Sequence, residues 1–265
     1  MLNRTANCST TSENLKTVLL NCASPDPRPT IDKMDNTELK LVIIKVLDQA
    51  RLTRSFDLRP ATTSGDGRVK FIPGQIAILS VPGEEPAYFA FASAPDDAEL
   101  EVLVKQKVGA SRVLYDMQEG DEITLLGISG NGFNLDQQKH RDLVFVAMGT
   151  GVAPLRSALR HVLKHRKDFG QLVVLYGARP PDDFAYSDEV QSWADAGVEV
   201  RQVISRPDGH DWSGPTGYVQ SLLDHVLPDL SSPVALVCGS REMIEQTRER
   251  LGKMGFKPEE ILTNY

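Results

Sequence analysis

Leu143-Val144-Phe145-Val146-Ala147-Met148-Gly149-Thr150-Gly151-Val152-Ala153-Pro154-Leu155-Arg156-Ser157 is the stretch on which the fold turns. Its six leading apolar residues read as a strand buried on both faces, as strands of parallel sheets are. Two glycines break that strand, and Pro154 then occupies a favoured first-turn position of a helix. Leu155, Ala158, Leu159, Val162 and Leu163 recur at helical spacing, so the helix has one apolar face. Glycines at such a junction let a ligand approach the backbone closely. The free N–H groups and positive dipole end of the helix attract a pyrophosphate there.

Downstream of this stretch, strands read at 172–176, 198–204 and 234–238. Helical segments run at 187–196 and 216–226, and a last one starts at the N-cap Ser240 and stops at Gly255. Alternation of this kind predicts an α/β domain over 141–265 with a doubly wound parallel sheet. Upstream the texture changes. Short strands read at 38–47, 75–81, 88–93, 100–107 and 121–127, with a polar turn at 64–67 and one short helix at 111–117. Their spacing predicts an antiparallel β-barrel over 38–136, and 136–142 reads as a polar linker. The fold class is therefore two-domain, barrel first and nucleotide-type sheet second.

The 265 residues suit about two domains. A hydrophobic share of 41% supplies two cores. The net charge is −7 and no Lys/Arg-rich run occurs, which excludes a nucleic-acid footprint. Cys8, Cys22 and Cys238 build no disulfide framework, and none lies in a C-x-x-C pair, so structural zinc and cysteine-held iron–sulfur clusters are excluded. No apolar run approaches the ~18 residues of a membrane span. Residues 1–37 are rich in Ser, Thr and Asn and close on Pro25, Pro27 and Pro29, which reads as a disordered tail of a cytoplasmic protein. The alternative is a plastid transit segment, since the tail has few acids.

Beyond the Gly149–Gly151 turn, Phe71-x-Pro73-Gly74-Gln75, Gly127-x-x-Gly130-Asn131-Gly132-Phe133, Leu175-Tyr176-Gly177-Ala178-Arg179 with Tyr186, and Val237-Cys238-Gly239-Ser240 with Met243 stand out. Together, over 40–265, they resemble the ferredoxin–NADP reductase superfamily, flavoproteins that move electrons between nicotinamide nucleotides and one-electron carriers. The resemblance implies FAD, or less favourably FMN, between barrel and sheet, with NADPH or NADH as the nucleotide. It implies that Gly149, Thr150, Gly151 and Val152 cradle the pyrophosphate, with Gly177, Ala178 and Arg179 on the next strand. Ser205-Arg206 would meet an adenosine 2′-phosphate, with Arg179 as a second contact, which leans to NADPH. Cys238, Gly239 and Met243 would flank the nicotinamide. Tyr265, the last residue, would stack on the flavin as the terminal aromatics of plant-type members do. Cys238 and Tyr265 are thus the implied catalytic pair.

On the barrel, the resemblance assigns the flavin's pyrimidine edge to the strand backbone at Leu103, Val104 and Lys105. Its phosphate falls to Gly109, Ala110 and Ser111, with Arg112 as a substitute charge. The family's Arg-x-Tyr-Ser signature is altered here to Ala87-Tyr88-Phe89-Ala90-Phe91-Ala92-Ser93. A plant-like branch shows a similar alteration and is the part of the superfamily that this chain most resembles. Phe89 is expected to pack on the flavin ring and Ala90, Phe91, Ala92 and Ser93 to line it. The implied activity is hydride transfer from nicotinamide to flavin, then electron delivery to a separate redox-carrier protein. The alternative is a nucleotide-binding regulatory or assembly module with a decayed flavin site.

Blander readings cover the rest. His161 and His165 have metal-pair spacing, but no third ligand is suggested nearby, so they are expected to be solvated and no metal is expected. Asp182-Asp183, after Pro180-Pro181, reads as a loop entering a helix, and 208–212 as an exposed turn.

Overall fold

The computed structural model describes residues 38–62 and 69–264, so the expectations for the tail, the turn at 64–67 and Tyr265 lie outside the described residues. Six antiparallel strands come first: β1 (Leu39–Ala50), β2 (Thr53–Pro60), β3 (Ile76–Ser80), β4 (Ala87–Ala90), β5 (Leu100–Lys105) and β6 (Glu122–Ser129). They pair in the order β4-β3-β6-β1-β2-β5, and a bridge between Phe91 and Val102 joins the two ends into a barrel. The short helix α1 (Ala110–Asp116) follows β5. β2 departs from the sequence expectation, which placed no strand there. It buries Thr53 and Ser55 beside Phe56 and Leu58, so its hydropathy does not alternate cleanly. Pairing with β1 and β5 on either side supplies what the pattern lacks.

The second unit runs β7 (Asp142–Met148), α2 (Val152–Lys164), β8 (Leu172–Ala178), α3 (Val190–Asp195), β9 (Val198–Ile204), α4 (Leu223–Val226), β10 (Pro233–Cys238), α5 (Arg241–Lys253) and β11 (Ile261–Leu262). Every pairing is parallel, in the order β11-β10-β7-β8-β9. β7 buries both faces: Leu143, Phe145 and Ala147 pack in the cluster under α2, and Val144 and Val146 in the cluster under α5. The α2 cluster also takes in Ala92, Leu103, Phe133 and Leu135 of the barrel side, so one core crosses the joint. Because the chain leaves β7 in one direction and returns to β10 on the other side, the sheet's switch point lies between them. Ligand crevices open at the carboxyl ends of strands at such a point.

Two local expectations shift. The segment 216–226 is helical only from Val219, as a tight turn into α4, because Thr216 bridges to Ile204 and Gly217 takes a φ of +129°. Asp142 is no linker residue. It opens β7 buried, with Oδ1 accepting from the Gln171 N–H at 2.7 Å and Oδ2 from the Ser231 N–H at 2.8 Å. No helix among the described residues is long and apolar enough to cross a membrane.

Candidate functional site

Gly149 has a φ of +56° and no atom within 4 Å of where a Cβ would stand, so the turn after β7 is left-handed and open. Only glycine takes that conformation without strain. Gly151, by contrast, is pressed against the turn after β10: a Cβ would lie 2.3 Å from the Cys238 carbonyl oxygen. The two turns thus form one continuous floor at the switch point. The Tyr176 hydroxyl braces it, donating to the Gly149 carbonyl at 3.2 Å and accepting from the Ala185 N–H at 3.1 Å. Beneath the floor, Val152, Ala178 and Met243 are buried, and Met243 Cε fills the space beside Gly239. These three side chains back the crevice, and Met243, expected to flank the nicotinamide, is turned into the core. Gly177 likewise packs against Val219.

At the ends of β8 and β9, the Ser205 N–H donates to the Ala178 carbonyl and the Arg206 N–H to the Arg179 carbonyl, each at 3.0 Å. Arg179 and Arg206 are therefore neighbours, as expected. Both are exposed, and among the described residues neither forms an ion pair. The Gly217 N–H donates to the Ile204 carbonyl at 2.8 Å and brings Tyr218, 68% exposed, to the same edge. The sequence reading missed Tyr218; an aromatic directly after a turn glycine was the available signal.

Asn264, only 4% exposed, closes the joint between barrel and sheet. Its Nδ2 donates to the Gly74 carbonyl at 3.1 Å, and its Oδ1 accepts the Cys238 thiol at 3.5 Å. Gly130, at a φ of +87°, leaves room for the Asn264 carbonyl oxygen, 2.6 Å from where a Cβ would be. Gly74 in turn packs on the Phe133 ring, and Gln75 Nε2 donates to the Gly130 carbonyl at 3.0 Å. Strings far apart in sequence thus converge on one junction. Burial pushes the Cys238 thiol up to about 12, against a weaker opposing bond from the Gly239 N–H, so it stays protonated at neutral pH. A protonated thiol is a small neutral wall, not a nucleophile.

The barrel side differs from expectation. Phe89, 8% exposed, sits in the barrel core with Phe71 and Phe91, which stack at 4.2 Å, instead of presenting its ring. The exposed aromatic of β4 is Tyr88, at 49%. Phe91 and Ala92 are buried too, and so are the side chains of Leu103 and Val104, whose expected contact runs through the strand backbone. The N–H groups of Phe91 and Ala92 already donate to Gln75 and Glu101 carbonyls, and the Ser93 hydroxyl accepts from the Glu101 N–H. The Ser111 hydroxyl donates to Val108, Arg112 pairs with Asp116, and Lys105 pairs with Asp183. Ala90 remains partly accessible on the edge of β4. Gly109 has the positive φ of a cradle (+65°), but the Glu84 carboxylate stands 3.5 Å from where its Cβ would be.

Arg156 ties the two units together. Only 5% exposed, its guanidinium donates to Glu101 Oε2 at 2.7 Å and the Ala92 carbonyl at 2.9 Å on the barrel, and to both Glu189 oxygens at 3.0 Å. It lies 4.2 Å from the Tyr186 ring centre, and the Tyr186 hydroxyl donates to Glu101 Oε1 at 2.8 Å. Burial opposes the Arg156 charge, but Glu189 and Glu101 outweigh it and hold it above its usual range. Asp183 makes a second tie: buried, it accepts from Arg51 and Lys105 of the barrel. A third joins Asp97, in the loop before β5, to Arg160 and Lys164 of α2. Asp96 lies beside His161, so the histidine pair does have a carboxylate neighbour.

The profile of the oxidoreductase NAD-binding domain matches residues 145–249. Ferredoxin–NADP reductase B of Sorangium cellulosum is 31% identical over 226 residues, which cover 80% of this chain and 89% of that protein. The fruit protein pKIWI502 of Actinidia deliciosa is 31% identical over 207 residues, 72% of this chain, and the chain spans 65% of its length. The CS-b5R domains of human Ncb5or (NAD+ form) share the fold at a TM-score of 0.75 and 23% identity, over 86% of this chain and 70% of that one. With its barrel, its switch-point glycines and a relative matched along most of its length, the chain belongs to the ferredoxin–NADP reductase family.

Proposed function

We propose that the protein is a flavin-dependent NAD(P)H oxidoreductase that takes hydride from NADPH in preference to NADH and passes electrons to a separate redox-carrier protein. The observation that carries this reading is the junction where Gly151, Cys238, Asn264, Gly74 and Gly130 meet, since it brings the nucleotide crevice against the barrel. Gly149 and the first turn of α2 receive the pyrophosphate through backbone N–H groups. Arg179 and Arg206 offer charge-assisted bonds to a 2′-phosphate that NADH lacks. The Tyr218 ring offers a stacking face to the adenine. The Cys238 thiol leaves space and adds no charge beside the nicotinamide. FAD is favoured over FMN, with Tyr88, Ala90 and the Gly109–Ala110 entry of α1 as the groups left to hold it. When bound, the flavin supplies the hydride acceptor and the outlet for electrons. Tyr265, directly after the anchored Asn264, remains our choice for the ring that covers the flavin. The ties at Arg156 and Asp183 fix the two units in register, so orientation is built in before ligands arrive.

A second reading, a nucleotide-binding module without flavin, draws on the Glu84 carboxylate beside Gly109 and the alanine at position 87. One experiment separates them. FAD is titrated into the purified protein by absorbance, and NADPH or NADH is then added without oxygen. Uptake of FAD followed by bleaching of its band, faster with NADPH, is expected. Nucleotide binding without FAD or FMN uptake establishes the module instead.

A further inference from the structure

We propose that Asp96, His161 and His165 form a binding site for a divalent transition-metal ion of the zinc class, placed across the joint between barrel and sheet. His161 and His165 lie one helical turn apart at the end of α2, with ring centres 4.8 Å apart. Asp96 comes from the other unit, in the loop between β4 and β5, and sets its Oδ1 3.5 Å from His161 Nδ1. One ligand atom from each of the three lies within 4.8 Å of the others. Ligand bonds of about 2.0–2.2 Å put tetrahedral donors roughly 3.3 Å apart. Asp96 and His165 are exposed, so their side chains have room to turn toward that spacing.

Two further observations support the site. His161 Nδ1 is buried and makes no hydrogen bond, and the nearest acidic oxygen, Asp96 Oδ1, stands 3.5 Å away. Lys164 is engaged chiefly elsewhere: its Nζ stands 2.8 Å from Asp97 Oδ1 and 3.6 Å from Asp96 Oδ2, which leaves Asp96 Oδ1 facing the imidazoles. Two imidazoles and one carboxylate match zinc, nickel, cobalt or copper, whereas magnesium and calcium prefer all-oxygen shells. Three protein ligands leave a fourth position for water. Because the donors come from both units, the ion binds the docked arrangement and stabilises it by mass action.

Titration calorimetry of zinc chloride into the EDTA-treated 265-residue chain tests this, with magnesium chloride as the comparison. One zinc equivalent is expected to bind and to raise Tm, and magnesium to do neither. His165→Ala, at an exposed position, should weaken zinc binding tenfold or more and remove the rise in Tm, with an unchanged far-ultraviolet spectrum. Asp96→Asn should do the same. Absence of zinc binding overturns the proposal, and so does equal zinc affinity in the wild type and the His161→Ala/His165→Ala double variant.

Discussion

The two walls of the crevice treat phosphate chemistry in opposite ways. On the sheet wall, Gly149 leaves its backbone open, and Arg179 and Arg206 stand exposed with no ion pair among the described residues. On the barrel wall, Lys105 and Arg112 are engaged by Asp183 and Asp116, two serine hydroxyls are bonded internally, and position 87 is alanine. A charge-assisted hydrogen bond contributes about 1.5–3 kcal/mol, or some ten- to hundredfold in affinity. The sheet wall leaves both guanidiniums exposed and without an ion pair among the described residues, as the proposed nucleotide site requires. On the barrel wall Lys105 is drawn to Asp183 at the joint and Arg112 to Asp116 within α1, so a flavin there would rest on aromatic and backbone contact.

The strongest way to break this comparison is to cut the joint. Arg156→Ala leaves Glu101 and Glu189 facing each other with no cation between them. Losing one partner of a buried ion pair destabilises by about 3–5 kcal/mol; the partial exposure of both glutamates puts the expected loss near about 3 kcal/mol. Urea unfolding measures it, and Arg156→Lys should recover only part, since lysine cannot reproduce the forked contact. A change under about 0.5 kcal/mol would mean that the units are held by their shared apolar core alone.

Arg156 also shows where sequence reading stops. The strand, glycine turn and helix around it were legible because a continuous apolar run, a left-handed glycine and a 3.6-residue period are all local signals. What Arg156 binds was not: Glu101 is 55 positions away, and nothing local marks the pair. Asn264 was missed for the same reason, its Gly74 partner lying 190 positions away. Asp96 beside His161 is another such contact, one that local spacing on α2 could not reveal. β2 failed differently, since its buried Thr53 and Ser55 disguise a strand whose place is set by its neighbours. The recognised strings located the crevice, yet side chains within them, Phe89 and Met243 among them, turned into the core.

On the sheet wall the comparison is sharpened by Arg206→Ala. Loss of a guanidinium from a 2′-phosphate is expected to raise KM for NADPH about ten- to thirtyfold and leave that for NADH unchanged. Arg179→Ala should act in the same direction with a smaller effect. Steady-state rates with both nucleotides decide it: equal changes for NADPH and NADH would remove the 2′-phosphate from these two arginines.

The barrel wall permits the converse experiment, adding what it lacks. Ala87 opens β4, paired with Leu79 and only partly buried, and Tyr88 beside it is exposed. An arginine at 87 can lay its stem along that edge and carry its head to solvent, so the fold should tolerate Ala87→Arg. If the wall's weakness is a missing cation, the variant should bind FAD about tenfold more tightly in a fluorescence titration. Its affinity for NADPH should not change, because the two sites lie on opposite walls. Glu84→Gln tests the same idea by subtraction. Glu84 is exposed and stands by Gly109, so removing its charge should tighten FAD only about two- to threefold, and less at high salt. Both effects should vanish for riboflavin, which has no phosphate. Tighter riboflavin binding in either variant would show that the ring site, not the phosphate site, had been altered.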